Sequence, residues 1–528
     1  MRNLIICGMA CGLVGCDPWS HLPLDGEAWL SEALWDDAVL AAADGLYVRL
    51  PYAGELIRIG PDGAVSRVDL GGAEPTGMAL GPDGQTLVLF QEWTECATEE
   101  EGVDELSECP SEDLVTHPEL SLVRNGAMVG DGGPVEVPGF YNRLAFSPWS
   151  AGSEVDPVAV AYLDYEGGEI DVDGVLNLTE VLLVNLRTGS TERMSVGFSA
   201  GNVLFTADGT RAAVLSRSQV VLVDLTVDPY EKLVTYPLTL DADQEVDPLG
   251  AAITPDDQYL LMSVVGSGDL YVMDLVDESI NIVDLAAAPA AMSVDASSDR
   301  TALVYANKAQ VDVLEHRYFA VEPVPLDEPC DSIAELGDGR ALLYNRTAST
   351  HDVYRLDLTN LDLVEYRVAN PVTSLQVSAD GNYAVALLRQ EWDSGSTDID
   401  AYFDEHWGLS ILDLSRDDNT DLVLEAAPVG LALGADGATG EPYALLLLEG
   451  VDSLVEVGLW SREVAEIELP APPTGIGALP DGTFYITHEA ALGLVSFLAP
   501  GSDALTQASG FAVEGLFTDD SLPAGEEE

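Results

Sequence analysis

The chain has 528 residues, of which 92 are acidic and 21 basic, for a formal net charge of -71. A chain so acidic offers no broad basic face to a nucleic-acid backbone, and charge will not draw it to an anionic membrane surface. Disorder is excluded as well, because 47% of the residues are hydrophobic and can fill a large core.

At the N-terminus, Arg2 and Asn3 precede an apolar run over residues 4–15. The run is too short to cross a bilayer, which takes about 20 residues, but it suits the apolar region of a secretory signal. It ends in Leu13-Val14-Gly15-Cys16, which resembles the lipobox of bacterial lipoproteins. The resemblance implies a signal peptide over residues 1–15, lipidation of Cys16, and a tether over residues 16–36. The protein is then exported and anchored by lipid to a bacterial membrane, in the periplasm or at the cell surface. An ordinary signal with a chance cysteine is the plainer alternative.

Cysteine use suits an exported chain. Cys7 and Cys11 leave with the signal, while Cys96 and Cys109 stand close together in one acidic loop. A disulfide between them is expected in an oxidising compartment, where closing so small a loop contributes about 3 kcal/mol in the chain-entropy model. No CxxC pair points to zinc, and Cys330 reads as a buried thiol.

From residue 37 to about 517 the chain repeats. Turns such as Pro82-Asp83-Gly84, Ala207-Asp208-Gly209, Pro255-Asp256-Asp257, Ala379-Asp380-Gly381 and Pro480-Asp481-Gly482 recur between short apolar runs. The spacing is about one propeller blade, roughly 42 residues, wherever no insertion intervenes. Each turn follows one apolar strand (residues 249–253, for example) and precedes a second (259–264). A third ends in a VxDL-like string, as at residues 221–225, 271–275, 353–358 and 409–414. A more polar fourth strand completes the unit. Asp-Gly turns between apolar runs are hairpin signals, and four short antiparallel strands per repeat describe a blade. The predicted fold is all-β: a single large β-propeller of about eight to ten four-stranded blades. Ten units are countable, starting near residues 37, 75, 140, 200, 248, 290, 330, 371, 428 and 472, and an acidic tail follows over 518–528. The stretch over residues 253–275 resembles the repeats of YVTN, lactonase-like and TolB-like propellers. That resemblance implies the fold and leaves the function open.

Three units carry long insertions between their second and third strands, over residues 91–118, 164–180 and 390–407. Long loops on a rigid scaffold are the expected working parts. The first and last share a pattern. Gln91-Glu92-Trp93 opens one and His117 closes it; Gln390-Glu391-Trp392 opens the other and His406 closes it. Glu92, Trp93, His117, Glu391, Trp392 and His406 are therefore candidate ligand-binding residues, with an indole as stacking face and Glu with His as polar contacts. The bland reading is descent of two blades from one.

The middle insertion matches the calcium-loop pattern D-x-D-x-D-G-x5-E. Glu169, Asp171 and Asp173 take positions 1, 3 and 5, and Gly174 makes the turn. Val175 offers its carbonyl, Asn177 takes position 9, and Glu180 takes the bidentate position 12. The flanks read as strands, so the loop resembles those of integrin-type propellers, and calcium is the expected ion. A solvated acidic hairpin is the alternative.

Enzyme signatures are thin, with no P-loop or HExxH motif. The sequence therefore reads as a binding or scaffold module of the cell envelope, whose partner is an envelope protein or a small ligand. A metal-dependent lactonase or esterase is the alternative.

Overall fold

The computed structural model describes residues 39–511, apart from 51–53, 71–72, 97–108, 110–113, 130–133, 138–140, 142, 150–154, 164–177, 218, 239–247, 278, 296–297, 392–401, 403–404 and 491. These residues form ten antiparallel sheets, each built from four consecutive strands; the second sheet gains a short fifth. The sheets are the blades of a β-propeller. Blades 1 to 10 open in turn with Val39–Ala42, Glu74–Leu80, Arg143–Phe146, Ala200–Phe205, Pro248–Ile253, Ala291–Val294, Ser332–Gly337, Val372–Val377, Pro428–Ala435 and Pro473–Ala478. These opening strands meet those of neighbouring blades and are the innermost.

The apolar runs follow from burial on both faces. In blade 5, the second strand Tyr259–Val264 sends Leu260 and Met262 toward blade 4 and Leu261 toward blade 6. A middle strand sandwiched between two neighbours needs apolar side chains at every position, so strict alternation disappears. The fourth strand, Ile280–Asp284, is mostly exposed, Ile280 and Ile282 included.

Every seam between blades carries its own hydrophobic cluster, and the series closes on itself. Leu46, Val48 and Ile57 of blade 1 pack with Val495, Phe497 and Phe511 of blade 10. Blade 1 takes all four strands from the start of the propeller and blade 10 all four from its end. Closure therefore rests on packing between blades and not on a shared sheet.

The turns explain the repeat. Asp83 accepts hydrogen bonds from the backbone N–H of Gln85 and Thr86, fixing the turn between the first two strands of blade 2. In VxDL strings the Asp caps the turn between the third and fourth strands: Asp224 accepts from Thr226, and Asp274 from Val276 and Asp277. The following Leu is buried, and its N–H bonds across to the first turn, as Leu225 does to Thr210 O at 2.8 Å and Leu275 to Gln258 O at 2.8 Å. Asp257 holds the place glycine takes elsewhere, with φ +57°, and its carboxylate accepts the N–H of Ala207 in blade 4. Asp tolerates that left-handed conformation at some cost, and here the bond between blades offsets it.

Arginines tie the seams. Arg211 donates to Leu275 O and Asp257 O of the next blade, and Arg300 to Leu358 O and Thr359 O. One planar fork reaches two carbonyls at once, which a lysine ammonium does with less geometric definition.

Candidate binding site on the loop face

Antiparallel alternation divides the connections. Turns between first and second strands, and between third and fourth, share one face of the ring, the turn face. The second-to-third connections and those between blades share the other, the loop face. All three long insertions belong to the loop face, because each joins a second strand to a third: Thr86–Cys96 to Leu114–Arg124, Val158–Tyr162 to Glu180–Asn185, and Tyr383–Leu388 to Trp407–Asp413.

In blade 2 the two middle strands outgrow the sheet. The innermost strand stops opposite Glu92, while pairing between the middle strands continues to Cys96↔Leu114. Cys96 and Cys109 are joined by a disulfide with an S–S distance of 2.02 Å. On this projecting hairpin Trp93 lies directly across from His117. Their rings stack at 4.2 Å with 13° between planes. Trp93 Nε1 donates to Glu119 Oε1 at 2.8 Å, and Gln91 Nε2 donates to Glu119 Oε2 at 3.1 Å. His117 stands between two carboxylates, with Nε2 3.1 Å from Glu95 Oε1 and Nδ1 3.5 Å from Glu136 Oε1. Glu136 comes from the short fifth strand, Val135–Glu136, which pairs beside Glu119. Trp93 is 37% exposed, so part of its indole faces solvent beside three glutamates. An aromatic surface ringed by carboxylates suits an organic or peptide cation.

Glu92 does not join this group. Strand alternation turns it to the opposite side of the sheet, away from Trp93, and Glu74 is its register partner. Burial, and then the charge of Glu74, push its carboxyl above the usual range.

The corresponding loop of blade 8 is laid out differently. Glu391 Oε2 lies 3.0 Å from Nε2 of His351, which belongs to blade 7, and His351 Nδ1 lies 2.9 Å from Ala369 O. His406 instead folds onto its own loop, with Nδ1 2.7 Å from Tyr402 O and its ring 4.5 Å from that of Tyr402. Trp392 lies outside the described residues. The Glu and His of the shared pattern therefore take different partners in the two loops. His351, Glu95, Glu119 and Glu136 went unnoticed in the sequence. Glu95 and Glu119 could have been found from the period of two along paired strands, but His351 and Glu136 meet their partners only through the topology.

Of the calcium-loop residues, Glu169, Asp171, Asp173, Val175 and Asn177 lie outside the described residues. Glu180 opens the third strand of blade 3, and its carboxylate pairs with Arg193. Among the described residues there is no group of three or more His, Cys, Asp and Glu able to hold a metal ion. On the turn face, a cleft of about 750 Å³ between blades 3 and 4 is lined by Asp156, Asn185, Glu192 and Tyr230. Internal bonds already engage several of these groups: Asn185 donates to Asp156, and the Tyr230 N–H to Glu192.

No family model and no curated protein matches the chain. Among solved structures it is similar to hydrazine synthase of Kuenenia stuttgartiensis, at 14% identity over 57% of this chain and 95% of that one, with a TM-score of 0.32. It is also similar to the dihydro-heme d1 dehydrogenase NirN in complex with DHE, at 14% identity over 63% and 71%, with a TM-score of 0.38. A chain of the mitotic checkpoint complex matches at 12% identity over 68% and 93%, with a TM-score of 0.34. Likenesses this distant say nothing about ligand or activity.

Proposed function

We propose that this ring is a binding scaffold of the cell envelope whose loop face receives a cationic segment of a partner protein. The observation that carries the reading is the half-open indole of Trp93, backed by His117 and flanked by Glu95, Glu119 and Glu136. A lysine or arginine laid against that indole gains a cation–π contact of about 0.5–2 kcal/mol together with nearby carboxylates. The acidic field of the chain raises the encounter rate for such a partner, and local contacts set specificity. The proposal includes export, anchoring through Cys16, and calcium closing the loop of residues 169–180.

Calorimetry of the full chain with a lysine- and arginine-rich peptide tests the site at physiological salt. Trp93→Ala leaves the net charge unchanged, so it separates the indole from the general acidic field. Affinity about two- to thirtyfold weaker in the variant is expected; equal affinity overturns the site. Anchoring is read separately, because Cys16→Ser should release the protein from membranes into the soluble fraction. For calcium, Glu180→Gln should abolish a rise in melting temperature at millimolar calcium. A melting temperature unmoved by calcium in the parent chain removes the ion from the proposal.

A further inference from the structure

We propose that the seam between blades 1 and 2 holds a small carboxylate that also carries a hydroxyl group, gripped by Arg49. In the second strand of blade 1, Gly45–Leu50, the side chains of Leu46, Val48 and Leu50 face blade 10, whereas Tyr47 faces blade 2. Arg49 stands two residues beyond Tyr47 and shares its direction. It is 3% exposed and is the one buried arginine among the described residues. Its Nη1 donates to Thr76 O at 2.7 Å and Pro75 O at 3.3 Å, where the innermost strand of blade 2 slips register between Pro75 and Gly77. Up to this point it resembles the other seam-crossing arginines. Arg211 and Arg300, however, keep contact with solvent. Among the described residues, Arg49 Nε and Nη2 are buried and find no hydrogen-bond partner. Those two nitrogens form the side of the guanidinium that grips both oxygens of a carboxylate.

The facing wall of blade 2 is left incomplete in a complementary way. Gln91 and Ser121 continue the strand faces of Leu89 and Val123, which pack toward blade 1. Gln91 is 1% exposed, and the bond from its Nε2 to Glu119 fixes the amide orientation. Its Oε1 is buried with no donor among the described residues, and Ser121 Oγ, 4% exposed, finds no partner among them either. Pro75, whose carbonyl Arg49 reaches, is the register partner of Gln91, so the guanidinium and the amide lie at one level of the seam. Donors without acceptors on one wall and an acceptor without a donor on the other call for an occupant of both kinds. Water balances the hydrogen bonds and leaves the buried charge uncompensated. A carboxylate supplies the counter-charge and two acceptors, and its hydroxyl donates to Gln91 Oε1 and meets Ser121 Oγ. Burial pushes the Arg49 pKa down, as expected of a cation that lacks its partner. The site lies beneath Trp93 and does not depend on the loop-face reading.

Equilibrium calorimetry and thermal melting of the full chain with glycolate, acetate and chloride at equal ionic strength test this directly. Saturable binding of one glycolate per chain is expected, tighter than acetate, with chloride acting only as salt. Arg49→Met should weaken glycolate by at least about tenfold. Arg49→Lys keeps the charge and loses the fork, so it should also bind more weakly even if the methionine variant fails to fold. Gln91→Leu should erase the preference for glycolate over acetate. Glycolate and acetate stabilising no more than chloride, or equally in the parent chain and Arg49→Lys, overturns the site. Equal affinity for glycolate and acetate in the parent chain overturns the hydroxyl assignment.

Discussion

On the turn face, Asp83 receives hydrogen bonds from Thr86 Oγ1 at 2.6 Å and from two backbone N–H groups, and Asp380 is held by Ser378 and Asn382. On the loop face, Glu92 stands opposite Glu74. The consequences for charge are opposite. Burial works against ionisation at Asp83, Asp208 and Asp380, yet the hydrogen bonds prevail and hold their carboxyls below the usual range. At Glu92 burial and the neighbouring charge act together and raise it. Acidic residues near the turns serve the backbone. Those on the loop-face hairpin of blade 2 surround an aromatic surface. One residue class thus braces the turns at one end of the blades and, in blade 2, borders an aromatic surface at the other.

The largest effect that would sharpen this contrast concerns the projecting hairpin. Replacing both Cys96 and Cys109 by alanine should destabilise it by about 3 kcal/mol and expose it to proteolysis under native conditions. Unchanged cleavage would mean that the strand pairing alone holds it. Next comes the turn face. Asp413 is buried and accepts from Ser415 N, Ser415 Oγ and Arg416 N. Asp413→Ala should therefore cost about 2 kcal/mol in chemical denaturation, and a loss below about 0.5 would contradict its role as a cap.

The pH dependence separates the faces by sign. Depressed aspartates contribute stability that is complete above their unfolded pKa of about 3.9 and is lost as pH falls through their folded values. Glu92, being raised, contributes stability below about 4.3 that is lost as pH rises through its folded value. Melting profiles of Asp83→Asn and Glu92→Gln should thus diverge from the parent in opposite directions. Equal slopes would erase the distinction. His316 and His488 add a feature nearer neutrality. Burial lowers both, opposed by Asp256 and Asp299 in one and by the bond to Ala471 O in the other. The unfolded chain takes up the proton first, so stability should fall as pH drops below about 6.5, and His488→Asn should flatten that part of the profile.

The smallest effect divides the loop face itself. His117→Ala removes the stack on Trp93 and contacts to two glutamates, for a loss of about 1 kcal/mol. His406→Ala disturbs only Tyr402 and should stay within about 0.5 kcal/mol. Equal losses would restore the equivalence that the sequence pattern suggested.

That pattern shows how far sequence carries. Gln-Glu-Trp before one loop and again before the other marked both as departures from the plain repeat, and the extended hairpin of blade 2 does carry an organised cluster. Partner choice was hidden, because Glu391 meets a histidine of the preceding blade and Glu92 faces away from its own Trp. Contacts of that kind depend on which face a residue takes and which blade stands beside it.

The repeating four-strand unit is legible along the chain. Asp-capped turns, VxDL strings and unbroken apolar runs are local consequences of hairpin geometry and of burial on both faces, so they are visible along the chain. The closing of ten blades into one ring, through the packing of Phe497 and Phe511 against Leu46 and Ile57, becomes visible in three dimensions alone. The same holds for Arg49, Gln91 and Ser121, which share one seam with polar atoms that find no partner among the described residues. Residues far apart in sequence become neighbours only when separate sheets pack, and periodicity within one blade carries no record of its neighbour.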